Sequence, residues 1–512
     1  MLHSEIGAES NGIPEVDVLI VGAGFGGFLL MNKLRKQGMT TKIYEKGTAS
    51  GGVWYWNCYP GARVDTDMQM YQILDKELRQ NFTFKERYPG REEFHRYFEY
   101  HVGEAVFDES RHVWRVECAD GSRIYCRWFI PCVGFAAKRF TPPFKGLSEF
   151  RGDVHHTAVW PQYSVSLKKK RTAVVGTGAS GVQPIQEIGP IVEHLTVYQR
   201  TPNYALPMNQ SLLNPKEVEA KKISGEWDAF MKGAFSTFVG FSFSLSDAST
   251  FDHTPEEKEK FFHKLLAEEG GFRFWLVRKR IPDPKKQELL APEKPPHPIG
   301  TKRPALEQNF YQVVSAKNVG IIDVNKDPII EVTERGIRTK SGFVEVNMII
   351  LATGFDSLTG SLSCLNIRGT DGGTIADHWK DGVRTAFGNA IAGFPNLFVP
   401  YAPQGPTAFA NGPTCLEVQA TWVDTVIRDL RAKGITRIDP KPEAEVEWTR
   451  RVNEKWNMSL FPMVKSWYQS SNIPGKRIQA LNWSGGLPAY KEALDESVAN
   501  DYQAWKLAKV AV

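Results

Sequence analysis

The sequence predicts an α/β chain built from two strand–turn–helix–strand units with a helical insertion. Two observations mark the units: G-x-G-x-x-G turns at 22–27 and at 176–181, each directly after a short apolar run. The third is a change of character between about 207 and 300, where strand-like alternation gives way to helical spacing. Together they point to a three-layer fold of two Rossmann-like dinucleotide-binding domains, the second interrupted by helices.

Taken in chain order, Val16–Val21 forms the first strand, a helical pattern follows Gly22, and Lys42–Glu45 gives the second strand. Residues Thr172–Val175 repeat the arrangement before Gly176, with the next strand at Leu195–Gln199. Residues 319–355 return to alternation and end in MIILATGFD, and helices are expected near Val418–Lys433 and Glu443–Met458. The expected domains are 1–140 and 381–512 for the first unit, 150–206 and 301–380 for the second, and 207–300 for the insertion. That insertion runs through a Phe-rich stretch near 235–243 and the charged segment TPEEKEKFFHKLLAEEGGFRFWLVRKR, then leaves by LAPEKPPHPIGTKRP.

The glycines have separate duties. In the first loop Gly22 permits the tight turn, Gly24 lets the backbone approach a pyrophosphate, and Gly27 lets the helix pack on the strand. The helix start then presents free amides and a positive dipole end to phosphate. Glu45, at the end of the next strand, suits a ribose diol and repels a 2′-phosphate, so this loop reads as a site for FAD or NAD. Gly176, Gly178 and Gly181, with Thr177 and Ser180, repeat the pattern, but the next strand ends in Arg200 and Thr201. A guanidinium and a hydroxyl suit the 2′-phosphate of NADP.

Composition excludes other classes. A net charge of +5 over 512 residues gives no reason to invoke nucleic acid or an anionic membrane. Six cysteines at 58, 118, 126, 132, 364 and 415 form no C-x-x-C pair. They read as reduced thiols in a cytoplasmic protein, and Cys58 lacks the second cysteine of a disulfide reductase. His155-His156 lacks a third ligand at suitable spacing, so no metal site is expected. The polar N-terminus carries no signal-peptide pattern, the C-terminus no peroxisomal tripeptide, and no apolar stretch is long enough to span a bilayer.

Residues 150–161, FRGDVHHTAVWP, carry Phe150, Gly152, His156, Trp160 and Pro161 in the pattern F-x-G-x-x-x-H-x-x-x-W-P. This resembles the fingerprint of type I Baeyer–Villiger monooxygenases. Flavin-containing and N-hydroxylating monooxygenases share its first part but usually lack the terminal Trp-Pro. Further segments are similar to family motifs: 51–71, 197–204, GTKRP at 300–304, ATGFD at 352–356, GFPNLF at 393–398 and SWYQSSNIPGK at 466–476. The chain departs from the family at Cys132-Val133-Gly134, where relatives often carry Ala-Thr-Gly, and at Gly405, where they usually carry Ser or Ala.

The resemblance implies FAD and NADPH as cofactors, a ketone and O2 as substrates, and an ester or lactone as product through a C4a-peroxyflavin. It implies that Arg303 stabilises the anionic peroxyflavin and that Asp65 orients Arg303. It sets Phe25, Lys46, Gly52, Val53, Trp54, Asp65 and Tyr71 at the flavin nucleotide, Lys302 beside Arg200 and Thr201 at the 2′-phosphate, and Trp467 in a loop that closes over NADP+ and substrate. His156 reads as a structural link between the nucleotide domains that senses cofactor. Two other classes share the scaffold: an N- or S-oxygenating flavin monooxygenase and a non-enzymatic redox sensor. Trp160-Pro161 and Arg303 argue against the first, and Arg303 with Asp65 against the second. A monomer or weak homo-oligomer is expected.

Overall fold

The computed structural model describes residues 13–79, 82–95, 104–108, 111–118, 121–241, 254–260, 278–298 and 300–510. Strands β1 (Glu15–Val21), β2 (Thr41–Tyr44), β3 (Glu104–Asp108), β4 (Val113–Glu117) and β5 (Arg123–Pro131) form the first sheet in the order β2-β1-β5-β4-β3. β1 is parallel to β2 and β5, while β3 and β4 complete an antiparallel edge. The Phe25–Lys36 helix follows β1 and buries Leu29, Leu30 and Leu34, as its apolar spacing requires.

The second sheet is all parallel. Strands β6 (Asp153–His156), β7 (Arg171–Val175) and β8 (His194–Gln199) join two strands from later in the chain. Strand β9 (Ala205–Pro207) leads into the insertion and pairs in parallel with β10 (Ala305–Glu307) on the way out. The insertion thus departs and returns at one place. Strand β11 (Val319–Asp323) then pairs with β8, and a three-stranded antiparallel sheet follows from β12 (Ile329–Thr333), β13 (Gly336–Thr339) and β14 (Phe343–Glu345). Strand β15 (Met348–Leu351) enters between β7 and β6, giving the order β11-β8-β7-β15-β6.

Both faces of the second sheet are covered, and the period of two along its strands shows how. Val174, Val197, Met348 and Ile350 pack with Val182, Ile185 and Ile188 of the Ala179–Ile188 helix. Ala173, Val175, Ile349 and Leu351 pack on the opposite side with Val332, Ile337 and Val346. A parallel sheet buried on both faces reads as continuous apolar runs, as MIIL does here.

The insertion holds helices Pro215–Ser224, Glu226–Ala234 and Pro284–Leu290. Asn214 and Asp283 cap the first and third by accepting hydrogen bonds from the amides of Lys216 and Lys285. Val218, Trp227 and Met231 bury against Trp54, Val64, Met68, Phe84 and Phe94 of the first unit. The end of the expected Phe-rich stretch (242–243), the residues after it to 253 and most of the charged segment (261–277) lie outside the described residues.

The return to the first unit comes earlier than the expected 380. Leu358, Leu362, Ile367, Ile375 and Trp379 share one core with Val18, Ile20, Leu30 and Phe129. The switch falls near Asp356, where the chain leaves β15 beside the connector 135–140. Helices Gly412–Ala432 and Pro442–Asn457 complete that core, the first starting six residues ahead of the expected 418 at a Pro in its first turn. It packs on the Phe25–Lys36 helix, with Lys33 paired to the largely buried Glu417 at 2.7 Å.

Candidate active site

Each glycine turn is shaped by close backbone approach. Gly22 has φ +105°, and a Cβ there would sit 2.5 Å from the carbonyl oxygen of Cys132; a Cβ on Gly27 would sit 2.0 Å from that of Gly22. The second turn repeats both constraints: Gly176 has φ +113° and abuts the Ala352 carbonyl at 2.4 Å, and Gly181 abuts Gly176 at 2.2 Å. Cys132 therefore stands to the first turn as Ala352 stands to the second, and the departure at 132–134 leaves the geometry intact.

The helices after both turns begin without a side-chain cap and without an acidic residue in the first turn. A helix start of this kind presents a positive dipole end that suits an anion. At the first turn Gly24 faces Gly52, and the Ser50 hydroxyl beside them is fully buried with no partner. An unpaired buried hydroxyl fits a site completed by a ligand. Glu45 is buried, and its two oxygens accept from the amides of Ala23 (2.9 Å) and Gly47 (3.0 Å). Lys46 and Val53 are exposed, while Trp54 stacks on Phe94 and Tyr71 meets Phe25 edge-on at 5.2 Å. At the second turn Gly178 opens on free space. Thr177 donates to the Thr201 carbonyl, which fixes the strand end where Arg200 is exposed.

Lys302 lies close to Arg200. Burial pushes its pKa down, and the neighbouring guanidinium pushes it further down. Neither cation has an acidic partner among the described residues. Two cations held together at a strand end beside a glycine turn are chemically suited to a phosphate monoester.

Arg303 meets Asp65 across the two units in a bidentate pair, Nε to Oδ2 and Nη2 to Oδ1, both 2.7 Å. The Arg303 side chain keeps 34% exposure and that of Asp65 21%, so the pair lines a cleft rather than a sealed core. The carboxylate raises the already high pKa of Arg303, which stays charged at every working pH. Asn203 donates to the Arg303 carbonyl at 3.1 Å and anchors its backbone. The phenols of half-buried Tyr71 and buried Tyr468, both pushed up to about 12 chiefly by desolvation, remain neutral beside it. Tyr401 is raised for the same reason. Trp467 stacks on Phe135 at 5.6 Å.

The 150–161 segment lies between the units. His156 is buried; its Nδ1 accepts from the Ala158 amide, and Nε2 lies 3.1 Å from the Phe140 carbonyl and 3.3 Å from the Thr353 hydroxyl. Both ring nitrogens are engaged and burial lowers its pKa, so it is a neutral strut and not a base. The Cys58 thiol donates to the Trp160 carbonyl at 3.1 Å, and partial burial raises its pKa. Tyr59 donates to Gln183, and Gln183 to the Arg63 carbonyl, tying the 59–63 loop of the first unit to the second unit's helix. Among the described residues no group of three metal-ligating side chains gathers, and no helix is long and apolar enough to cross a membrane.

Sequence reasoning missed Tyr401, Tyr468, Asn203 and the Asp356–Lys476 pair. Tyr468 is adjacent to Trp467 and lay within a quoted motif; a lone tyrosine such as Tyr401 in a loop carries no sequence signal.

Fold and site together define a flavoprotein with two dinucleotide sites and a fixed cation between them. Residues 16–223 match the family model of pyridine nucleotide-disulphide oxidoreductases. Its scaffold is present here, without a cysteine pair, since all six cysteines are free. The chain is 41% identical to the FAD-binding monooxygenase VdtE of Byssochlamys spectabilis, over 96% of this chain and 94% of that one. It is 39% identical to cyclopentanone 1,2-monooxygenase of Comamonas sp., over 99% of each. The structure of a Rhodococcus cyclohexanone monooxygenase bound to NADP+ superimposes with a TM-score of 0.89 at 31% identity, covering 97% of this chain and 100% of that one. The chain belongs to the Baeyer–Villiger monooxygenases and is an FAD- and NADPH-dependent oxygenase.

Proposed function

We propose that the Arg303–Asp65 pair is the catalytic centre and that cyclic ketones of five or six ring carbons are converted there to lactones. The bidentate ion pair at the junction of the two units carries the reading. Relatives named for cyclopentanone and cyclohexanone support the substrate class. Bound FAD and NADPH supply the oxygen-transfer and hydride chemistry. Negative charge that builds on reacting oxygen atoms in a poorly hydrated cleft requires a preorganised cation, and Arg303 is one. Asp65 fixes the plane and direction of the guanidinium.

The two helix starts would hold the pyrophosphates, with Gly22, Gly24, Gly27 and Glu45, together with Phe25, Lys46, Gly52, Val53, Trp54, Asp65 and Tyr71, serving FAD. Gly176, Thr177, Gly178, Ser180 and Gly181 would serve NADPH, with Arg200, Thr201 and Lys302 on its 2′-phosphate. Trp467, stacked on Phe135, would close the cleft over nicotinamide and substrate. Purified holoenzyme is to be offered cycloalkanones and, separately, tertiary amines, with NADPH consumption and product mass followed together. Lactone from the ketones is expected; turnover of amines alone would overturn the assignment.

A further inference from the structure

The segment 466–476 brings Tyr468 near Arg303 and Asp65 and stacks Trp467 on Phe135, and it is fastened at its far end. The Asn472 side chain donates to the Phe355 carbonyl at 2.9 Å. The Lys476 ammonium donates to the Asp356 carboxylate and, at 2.6 Å, to the Thr359 hydroxyl. The other carboxylate oxygen of Asp356 meets Lys138 at 3.2 Å. Only 7% of the Asp356 side chain is exposed, and a buried carboxylate of this kind needs its cations. A Cβ at Gly360 would fall 2.5 Å from the Asp356 carboxyl carbon, so glycine at 360 makes room for it.

Asp356 also occupies the junction of the two units. The connectors 135–140 and 354–358 run side by side, joined by Phe140 N to Gly354 O (2.9 Å), Asp356 N to Lys138 O (2.8 Å) and Leu358 N to Phe135 O (2.8 Å). Phe135, on the first connector, is the ring on which Trp467 stacks. One carboxylate therefore binds a cation from a connector and a cation from the Trp467 segment. A change in how the connectors lie alters both anchorages of that segment, the stack and the ion pair.

We propose that Asp356 and Lys476 are positioning residues that latch the Trp467–Tyr468 segment over the Arg303–Asp65 pair and couple its docking to the geometry of the inter-unit connectors. The inference rests on the proposed catalytic role of that pair. The loss of one charge-assisted hydrogen bond shifts a docking equilibrium by about ten-fold.

The test uses FAD-loaded holoenzyme and the variants Lys476→Met, which leaves Lys138 on the buried Asp356 carboxylate, and Lys476→Arg. Two readouts are taken on each: cleavage by chymotrypsin at Trp467–Tyr468, and the share of NADPH consumption that emerges as hydrogen peroxide rather than oxygenated ketone. Lys476→Met should speed cleavage about ten-fold and raise the peroxide share several-fold, while anaerobic reduction of FAD by NADPH stays within about two-fold. Lys476→Arg should restore both. Unchanged cleavage, an unchanged peroxide share, or a reduction rate that falls in step with turnover overturns the latch. If the parent enzyme makes no ester from any ketone, the catalytic reading has failed instead. The proteolysis arm still decides on the latch.

Discussion

A guanidinium with no access to a neutral state is useful only if its direction is fixed, and Asp65 fixes that of Arg303 through two parallel hydrogen bonds. Arg303→Ala should lower kcat for ketone oxidation by about 10²–10³-fold, the usual cost of a lost charge-stabilising donor. NADPH should still bleach the flavin, as stopped-flow absorbance at the flavin band will show. Arg303→Lys should recover only part, because an ammonium cannot make the fork. At the second strand end, Arg200→Ala should raise KM for NADPH by about ten-fold or more and leave KM for NADH unchanged, since only NADPH carries the phosphate. Lys302 adds a pH signature. Its pKa is held below the usual 10.5 by burial and by Arg200. The phosphate requires the charged form, so NADP+ affinity should weaken as pH rises through that lowered value. In Lys302→Met the alkaline loss should be absent from a titration of Kd against pH.

At the scale of elements, the two glycine turns give paired predictions. A methyl at Gly27 or Gly181 would overlap a carbonyl oxygen of its own turn. Gly27→Ala should yield protein purified without flavin absorbance. Gly181→Ala should keep its flavin and lose reduction by NADPH. A reversed pattern would exchange the two ligand assignments. The turns were legible because the chemistry is local: strand, glycines, helix start and the residue ending the next strand fall within one short stretch. The β9–β10 neck was not legible, since three residues on either side of a long insertion carry no periodicity. Nor was the return at Asp356, because ATGFD reads as the end of a strand and gives no sign of which core takes the next turn.

For the whole molecule, the first unit is assembled from both ends of the chain around one core, and the proposed FAD turn at 22–27 follows a strand of that core. Ligand bound only by the folded state stabilises it by about 4 kcal/mol at a thousand-fold excess over Kd. Removal of FAD should therefore lower the melting temperature seen by intrinsic fluorescence, and re-addition should restore it; NADP+ should then raise it further. The sequence by itself determined the fold class, the family and the two cofactors, since each of these is written in contiguous residues whose backbone needs are local. Only the tertiary structure decided how the parts meet. Arg303 and Asp65 lie 238 positions apart; the family resemblance pairs them, but nothing in the spacing of either foretells a bidentate 2.7 Å contact. The same holds for Tyr59 with Gln183, for the Cys58 thiol beneath Trp160, and for Lys476 on Asp356. Such contacts depend on how two rigid sheets are set against each other, and that is fixed by the sum of many apolar surfaces rather than by any short run of residues.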